Sequence, residues 1–270
     1  MENVNIEKVT SVRHWSHRMF SFTTTRSQDF RFESGQFVMI GLPINGQLVL
    51  RPYSIVSPGH SDQLEFLSII VPDGKLTPHL AHIRVGDEIT VKKKSAGTLV
   101  PGYLSPGKTL ILLCTGTGIA PFMSIVQAPY TYDSFEKVVL VHSVREQNDL
   151  AYFEELSSGF EDLEYIGEIV KDKLSYHPIV TGHQTLQPRY LTSKTKPQVG
   201  RRITSLLADS QFFDFLGIDQ HTSECRFMIC GNAEMAKESI CLLEKLGFKA
   251  ASSRVRGDYT TEHAFLGIEF

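Results

Sequence analysis

From Thr109 to Tyr132 the chain carries no charged side chain. A run of that length crosses a bilayer when it forms one unbroken helix. Here Thr115-Gly116-Thr117-Gly118 interrupts it, and Pro121 and Pro129 follow. Glycine favours a turn, and proline suits the first turn of a helix better than its interior. The segment therefore reads as a buried strand over Leu110–Cys114, a glycine turn, and a helix opening near Pro121. No membrane span is expected. Strand, tight turn and helix N-terminus in that order also bring unpaired backbone N–H groups to where an anion can approach.

The pattern differs on the two sides of this segment. Before it, short apolar or alternating pieces lie at Arg18–Thr25, Gln36–Leu42, Gln47–Leu50, Tyr53–Val56, Glu65–Val71 and Glu88–Lys93. Turn residues such as Pro43-Ile44-Asn45-Gly46 and Pro72-Asp73-Gly74 separate them, which predicts an antiparallel six-stranded Greek-key β-barrel with one helix near Thr77–Ile83. From Thr109 onward strands alternate with helices. Strands are expected at Thr109–Cys114, Lys137–His142, Tyr176–Thr181, Arg226–Cys230 and Ser252–Arg256. Helices are expected from Pro121 to Gln127, at Leu150–Leu156, at Arg201–Phe213 and at Ala233–Leu246, with a long loop over Gly182–Gly200. This is the pattern of a doubly wound, parallel five-stranded α/β sheet. The composition shift near Val100–Gly107 divides the chain into residues 1–102 and 103–270. Two domains also agree with 270 residues at roughly 150 per domain.

Charge and cysteine usage narrow the chemistry. With 27 Lys+Arg against 30 Asp+Glu the net charge is −3, so no whole-molecule basic field exists for nucleic acid. Cys114, Cys225, Cys230 and Cys241 include no C-x-x-C pair and no zinc or iron–sulfur spacing. Free thiols and an N-terminus without a basic and apolar leader point to the cytoplasm, and no metal site is expected. His79 and His82 read as incidental surface histidines. Lys92-Lys93-Lys94, with Arg13, His14, His17 and Arg18, offers a local basic patch for an acidic partner.

Two features could carry chemistry. The turn Gly116-Thr117-Gly118 departs from the dinucleotide fingerprint, since Pro121 stands where the third glycine belongs, and it lacks the Lys of a P-loop. The second feature is Arg51-Pro52-Tyr53-Ser54. Alternation on a strand would place Arg51 and Tyr53 on one face, a guanidinium for phosphate beside a ring able to stack on a planar cofactor. Taken singly, each motif also suits an ordinary tight turn or barrel strand.

Together, Arg51-Pro52-Tyr53-Ser54 followed by Gly116-Thr117-Gly118-Ile119-Ala120-Pro121-Phe122 resembles the ferredoxin–NADP⁺ reductase family. The likeness is closest to the bacterial branch that also reduces flavodoxin. It extends over nearly the whole chain through Ser34-Gly35-Gln36-Phe37, Val71-Pro72-Asp73-Gly74-Lys75-Leu76-Thr77, Val139–Arg145, Met228-Ile229-Cys230-Gly231-Asn232, Gly257-Asp258-Tyr259 and Ala264-Phe265-Leu266-Gly267. The resemblance implies FAD on the barrel and NADP(H) on the second domain, with the C-terminal tail returning to the flavin. It implies that Arg51 pairs with the FAD pyrophosphate, that Pro52 shares the motif, that Tyr53 packs on the flavin ring and that Ser54 lies near N5. Ile69, Val71, Lys75, Leu76 and Thr77 would line the ribityl and diphosphate path. Ala264 would cover the opposite ring face and Phe265 would stack on the adenine.

For the nucleotide, the resemblance places Thr117 and Gly118 at the nicotinamide and pyrophosphate, with Thr117 also near the flavin. Gly231, Asn232, Ala233 and Met235 would form the facing wall, and Cys230 would stand beside the reacting ring. Tyr53, Ser54, Cys230 and Ala264 are thus the expected catalytic set. Arg145 and Arg201 match positions that hold the 2′-phosphate of NADP. The bacterial pattern Thr-Arg-Glu is replaced by Thr181-Gly182-His183, so one arginine is missing; Arg189, Lys194, Lys196 or Arg202 would have to supply the charge. The implied activity is electron transfer between NADP(H) and ferredoxin or flavodoxin by a monomer. The rival readings are a reductase of another acceptor on the same scaffold, or a nucleotide-binding regulatory module without turnover.

Overall fold

The structure is a computed structural model that describes residues 3–161, 163, 166–183, 185–218, 222–252 and 254–262. It divides into two compact units. The first takes the chain up to Gly97 together with Ala120–Ile125; the second takes Thr98–Ile119 and the chain from Val126 onward.

The first unit is a six-stranded antiparallel sheet. Its strands are β1 (Val4–His14), β2 (Met19–Thr25), β3 (Phe37–Ile44), β4 (Gln47–Ser54), β5 (Gln63–Ile69) and β6 (Glu88–Lys92), in the order β4-β3-β6-β1-β2-β5. An isolated bridge between Ile55 and Phe66 brings the two outer strands of that order together, as a barrel requires. Phe20, Phe22, Phe30, Ile40, Ile55, Leu64 and Phe66 fill its interior. Asn45 and Gly46 adopt positive φ between β3 and β4, the two-residue hairpin turn whose twist matches the strands. The segment Ala120–Val126 is helical, and Ser124 Oγ donates to the Ser57 carbonyl at 2.7 Å within this unit.

Six barrel strands were expected and six are present, but two differ. Gln47–Leu50 and Tyr53–Val56 belong to one strand, β4, because Pro52 needs no ladder donor where it stands. The strand not foreseen is β1. Its inward positions are Glu7 and Val9, whereas Ile6 faces solvent, so the hydrophobic pattern runs out of phase with burial. Glu7 is held inside by Thr25 Oγ1 at 2.5 Å and by the Ser27 N–H at 2.9 Å. A bulge between Val9 and Ser11 shifts the register again.

The second unit is a parallel sheet of β7 (Thr109–Thr115), β8 (Lys137–Val144), β9 (Leu174–Val180), β10 (Gln198–Val199), β11 (Cys225–Cys230) and β12 (Tyr259–Thr261). Their order is β10-β9-β8-β7-β11-β12, six strands where five were expected. The uncharged segment begins as β7, and among the described residues no helix is long and apolar enough to cross a membrane. Three local expectations are corrected. The loop over 182–200 contains the short helix Pro188–Thr192 and the extra strand β10. The helical stretch Arg201–Phe213 is two helices, Ile203–Leu207 and Phe212–Phe215, broken where Asp209 Oδ1 accepts the Gln211 N–H at 3.0 Å. The closing strand is Tyr259–Thr261 instead of Ser252–Arg256, because the Ser252 hydroxyl accepts the Val255 N–H at 3.0 Å and closes a turn.

Candidate active site

The strand order places β7 between β8 and β11, so the winding of the second unit reverses beside the carboxyl end of β7, where open α/β sheets bind ligands. Two turns meet there. The 3-10 turn Gly116–Ile119 follows β7, and Gly231-Asn232 follows β11. A Cβ on Gly118 would stand 2.5 Å from the Cys230 carbonyl oxygen and 2.7 Å from Gly231 Cα. Gly231, at φ +129, packs equally close against Thr115. The Asn232 N–H donates to Thr115 Oγ1 at 2.7 Å and ties the turns together. Gly116 is different: at φ +53 its missing Cβ would meet nothing within 4 Å. Backbone is thus laid bare at Gly116 while the rest of the cradle is rigidly backed, which fits the close approach of a dinucleotide.

Asn232 caps the helix Ala233–Lys245, its Oδ1 accepting from Glu234 N at 2.9 Å and Met235 N at 3.1 Å. Its remaining amide N–H groups are the part available to a ligand. Met235 belongs to the apolar core of this unit, so the wall expected from Gly231, Asn232, Ala233 and Met235 is presented by the first three. Thr117 is half-buried in the turn.

Cys230 is 3% exposed and lies in register with Cys114 on β7. Burial, and then the charge of Glu262, push its thiol well up, so the sulfur stays protonated. Glu262 is 4% exposed just beyond β12, and sequence reasoning passed over it. The available signal was its position two residues ahead of Ala264. Ala264 and Phe265 themselves lie outside the described residues.

Arg145, His183, Arg201 and Arg202 follow the carboxyl ends of β8, β9 and β10. The Gly182 N–H donates to the Arg145 carbonyl at 3.0 Å, and Gly200 lies 3.9 Å from His183 Cε1 when given a Cβ. Arg145 and Arg201 are both exposed. Arg201 is engaged by Asp209 at 2.8 Å, and the Gln211 N–H followed by Arg201 holds that carboxyl below its usual range. Arg189 pairs with Glu154 at 3.4 Å and stacks on Tyr190, and Lys194 meets Glu161 at 3.6 Å. Of the four proposed substitutes for the missing arginine, Arg202 and Lys196 have no ion pair among the described residues.

On the barrel, exposure falls along β4 from Arg51 through Pro52 to Tyr53 and Ser54, which are both buried. Arg51 spends one N–H on the Leu50 carbonyl at 2.7 Å and keeps the rest of its guanidinium in solvent. Tyr53 meets Phe66 edge-on with ring centroids 6.4 Å apart, and its hydroxyl reaches Ser68 Oγ at 3.0 Å. After Ile69, at the end of β5, the loop to Thr77 is pinned by Thr77 Oγ1, which accepts the Val71 N–H at 3.0 Å. Val71 and Lys75 are exposed, while the Leu76 side chain is in the barrel core, so only its backbone can line a ligand path. An exposed guanidinium and an ammonium are suitable donors for a pyrophosphate, whereas the Thr77 hydroxyl spends its proton on the Val71 carbonyl at 3.2 Å.

The basic patch expected from two segments is divided. Lys92 pairs with Val4 at one end of β1, and Arg13 pairs with Ser21 at the other. The nine residue steps of strand from Val4 to Arg13 span roughly 30 Å. Arg13 lies over the Trp15 ring at 3.6 Å.

Residues 3–99 match the family model described as Oxidoreductase FAD-binding domain, and residues 112–240 match Oxidoreductase NAD-binding domain. A ferredoxin–NADP reductase of Azotobacter vinelandii is 44% identical over 98% of this chain and 99% of its own. The chain belongs to the ferredoxin–NADP reductase family. Within that family, a flavodoxin/ferredoxin–NADP reductase of Rhodobacter capsulatus is 41% identical over 97% of this chain and 93% of its own. The crystal structure of a ferredoxin NADP⁺ reductase from Neisseria gonorrhoeae with bound FAD and NADP superposes at a TM-score of 0.84. It is 30% identical and covers 97% of this chain and 99% of its own. The two family models divide the expected site residues between them: Arg51 to Thr77 fall in the first and Thr117 to Met235 in the second, while Ala264 and Phe265 lie beyond both. His79 and His82 belong to neither cradle. They line a surface pocket of about 410 Å³ with Asp87 and Glu88, a carboxylate neighbourhood that sequence reasoning did not place there.

Proposed function

We propose that this reductase moves electrons between NADP(H) and ferredoxin or flavodoxin through FAD, as a cytoplasmic monomer with FAD on residues 1–102 and NADP(H) on residues 103–270. The observation that carries this reading is the bare backbone at Gly116 backed by Gly118 and Gly231 at the point where the parallel sheet reverses. Bound FAD supplies the hydride-accepting atom and the conversion between electron pairs and single electrons.

The chain's own residues do the holding. Arg51 and Lys75 neutralise the FAD diphosphate, and Thr77 keeps the loop beneath it folded. Tyr53, anchored in the barrel by Ser68 and Phe66, presents a fixed ring to the flavin. Ser54 would offer a hydroxyl to the flavin ring near N5. Thr117, Gly118 and Gly231 orient the nicotinamide, and Cys230 stays a neutral thiol beside it. Ala264 and Phe265 cover the flavin ring and the adenine from the tail. Arg145 and Arg201, with Arg202 in place of the missing arginine, hold the 2′-phosphate and favour NADPH over NADH.

Anaerobic stopped-flow mixing with NADPH and NADH side by side tests the assignment. Bleaching of the flavin band by both, at lower NADPH than NADH concentration, is the expected result. A bound flavin that neither nucleotide reduces overturns it. Reoxidation by ferredoxin and by flavodoxin then separates the acceptors.

A further inference from the structure

His142 is fully buried on β8, directly opposite Cys114 on β7. Its Nε2 lies 3.1 Å from the carbonyl oxygen of Gly116, and its Nδ1 lies 3.3 Å from the hydroxyl of Tyr176 on β9. A carbonyl oxygen only accepts, so Nε2 must carry the proton. A neutral imidazole holds one proton, so Nδ1 is then the acceptor and Tyr176 the donor. Both ends of this relay suit the assignment. Burial pushes the histidine down to about 4, and it holds the Tyr176 hydroxyl well above its ordinary value. Gly116 is the residue with the open face and the left-handed φ, and His142 is a second donor to its carbonyl beside the i→i+3 bonding of the short 3-10 turn Gly116–Ile119.

We propose that His142 is a positioning residue for the nicotinamide: through Nε2–H it fixes the Gly116 carbonyl, and Tyr176 fixes His142 in the tautomer that can do so. The assignment rests on the reading of Gly116–Gly118 as the nicotinamide cradle. Its parts have one donor direction throughout, Tyr176 O–H to Nδ1 and Nε2–H to the Gly116 oxygen. Without that donor the carbonyl keeps only the bonding of a single 3-10 turn, and the turn loosens about Gly116, where no Cβ restrains it. Misplacement of a reacting group by about 1 Å costs on the order of a hundredfold in rate, so a partial loosening is expected to cost about tenfold.

The test compares His142→Leu, which removes the donor, with His142→Gln, whose amide can reach the same carbonyl. Amide hydrogen exchange at Thr117 and Gly118 is followed in the absence of nucleotide, alongside the limiting rate of flavin reduction by NADPH and its apparent Kd. In His142→Leu, exchange should rise and reduction should slow by about tenfold each, with apparent Kd changing less than about threefold. His142→Gln should restore both to within about threefold. Side-chain nitrogen NMR of the unaltered protein should show the Nε2–H tautomer. Unchanged exchange and rate in His142→Leu, a glutamine variant as impaired as leucine, or an Nδ1–H tautomer overturns the assignment. A normal tautomer and exchange response in a protein whose flavin no nucleotide reduces sinks the cradle reading instead. Should His142→Leu fail to fold, Tyr176→Phe decides: about threefold slower reduction supports the relay, and an unchanged rate overturns it.

Discussion

The hydroxyls of Tyr53 and Ser68 stand 3.0 Å apart inside the barrel, on β4 and β5, with Tyr53 at 9% exposure and Ser68 at 2%. The residue expected to meet the flavin is therefore fixed by a partner that the flavin motif does not contain. Ser68→Ala leaves the buried Tyr53 hydroxyl without that partner, which costs about 1–3 kcal/mol. Urea unfolding measures the loss; a change below about 0.3 kcal/mol would show that the pair does not matter for stability.

Gly118→Ala tests the cradle sterically. The added Cβ would meet the Cys230 carbonyl oxygen at 2.5 Å, and backbone in a central strand cannot move aside cheaply. Destabilisation of about 1–3 kcal/mol is expected, and flavin reduction by NADPH should be impaired even in protein that still folds. A variant with wild-type melting temperature and wild-type reduction rate contradicts the packing described for this turn.

Arg201 is already paired with Asp209 at 2.8 Å, so its service to a 2′-phosphate requires that pair to be shared or exchanged. Arg201→Ala should lower kcat/KM for NADPH by about one to two decades, the worth of one charge-assisted hydrogen bond, and leave NADH nearly unchanged. Asp209→Asn should act in the opposite direction and tighten 2′,5′-ADP, as read by calorimetry. Equal losses with both nucleotides after Arg201→Ala assign the 2′-phosphate elsewhere.

Acid should weaken the fold through its buried histidines. Burial lowers His142 to about 4, and burial followed by the Lys137 charge lowers His177 to about 4. An unfolded histidine titrates near 6.5, so between these values the unfolded chain binds the additional proton. Stability is then complete above pH 6.5 and declines as pH falls toward 4, by up to roughly 3 kcal/mol for His142. Denaturant midpoints at pH 7.5, 6 and 5 follow the decline, and His142→Gln should flatten it. An equal slope in that variant assigns the acid sensitivity to other groups.

The fold class and the main strands were legible because β7, β8 and β11 are apolar almost throughout and end in glycine or polar turns. β1 was not, because its two inward positions are a hydrogen-bonded glutamate and a valine while Ile6 looks outward. The candidate site was legible as a set of motifs, but not as a set of roles. Met235 sits beside the Cys230–Asn232 turn in sequence yet packs into the core, since a helix returns every third or fourth residue to the same side. Asn232 is partly consumed by capping, and Leu76 offers only backbone. Glu262 follows the short strand Tyr259–Thr261 and His142 stands next to Ser143 in β8, and only pairing across the sheet reveals what they touch.

The strand order has a consequence for synthesis. β7 gains β8 as a neighbour soon after it emerges, but its other edge belongs to β11, about 110 residues later. At roughly 5–20 residues per second, an uncharged strand edge stays uncovered on the ribosome for about 5–20 s. During that interval β7 presents an unpaired edge that the finished sheet no longer has.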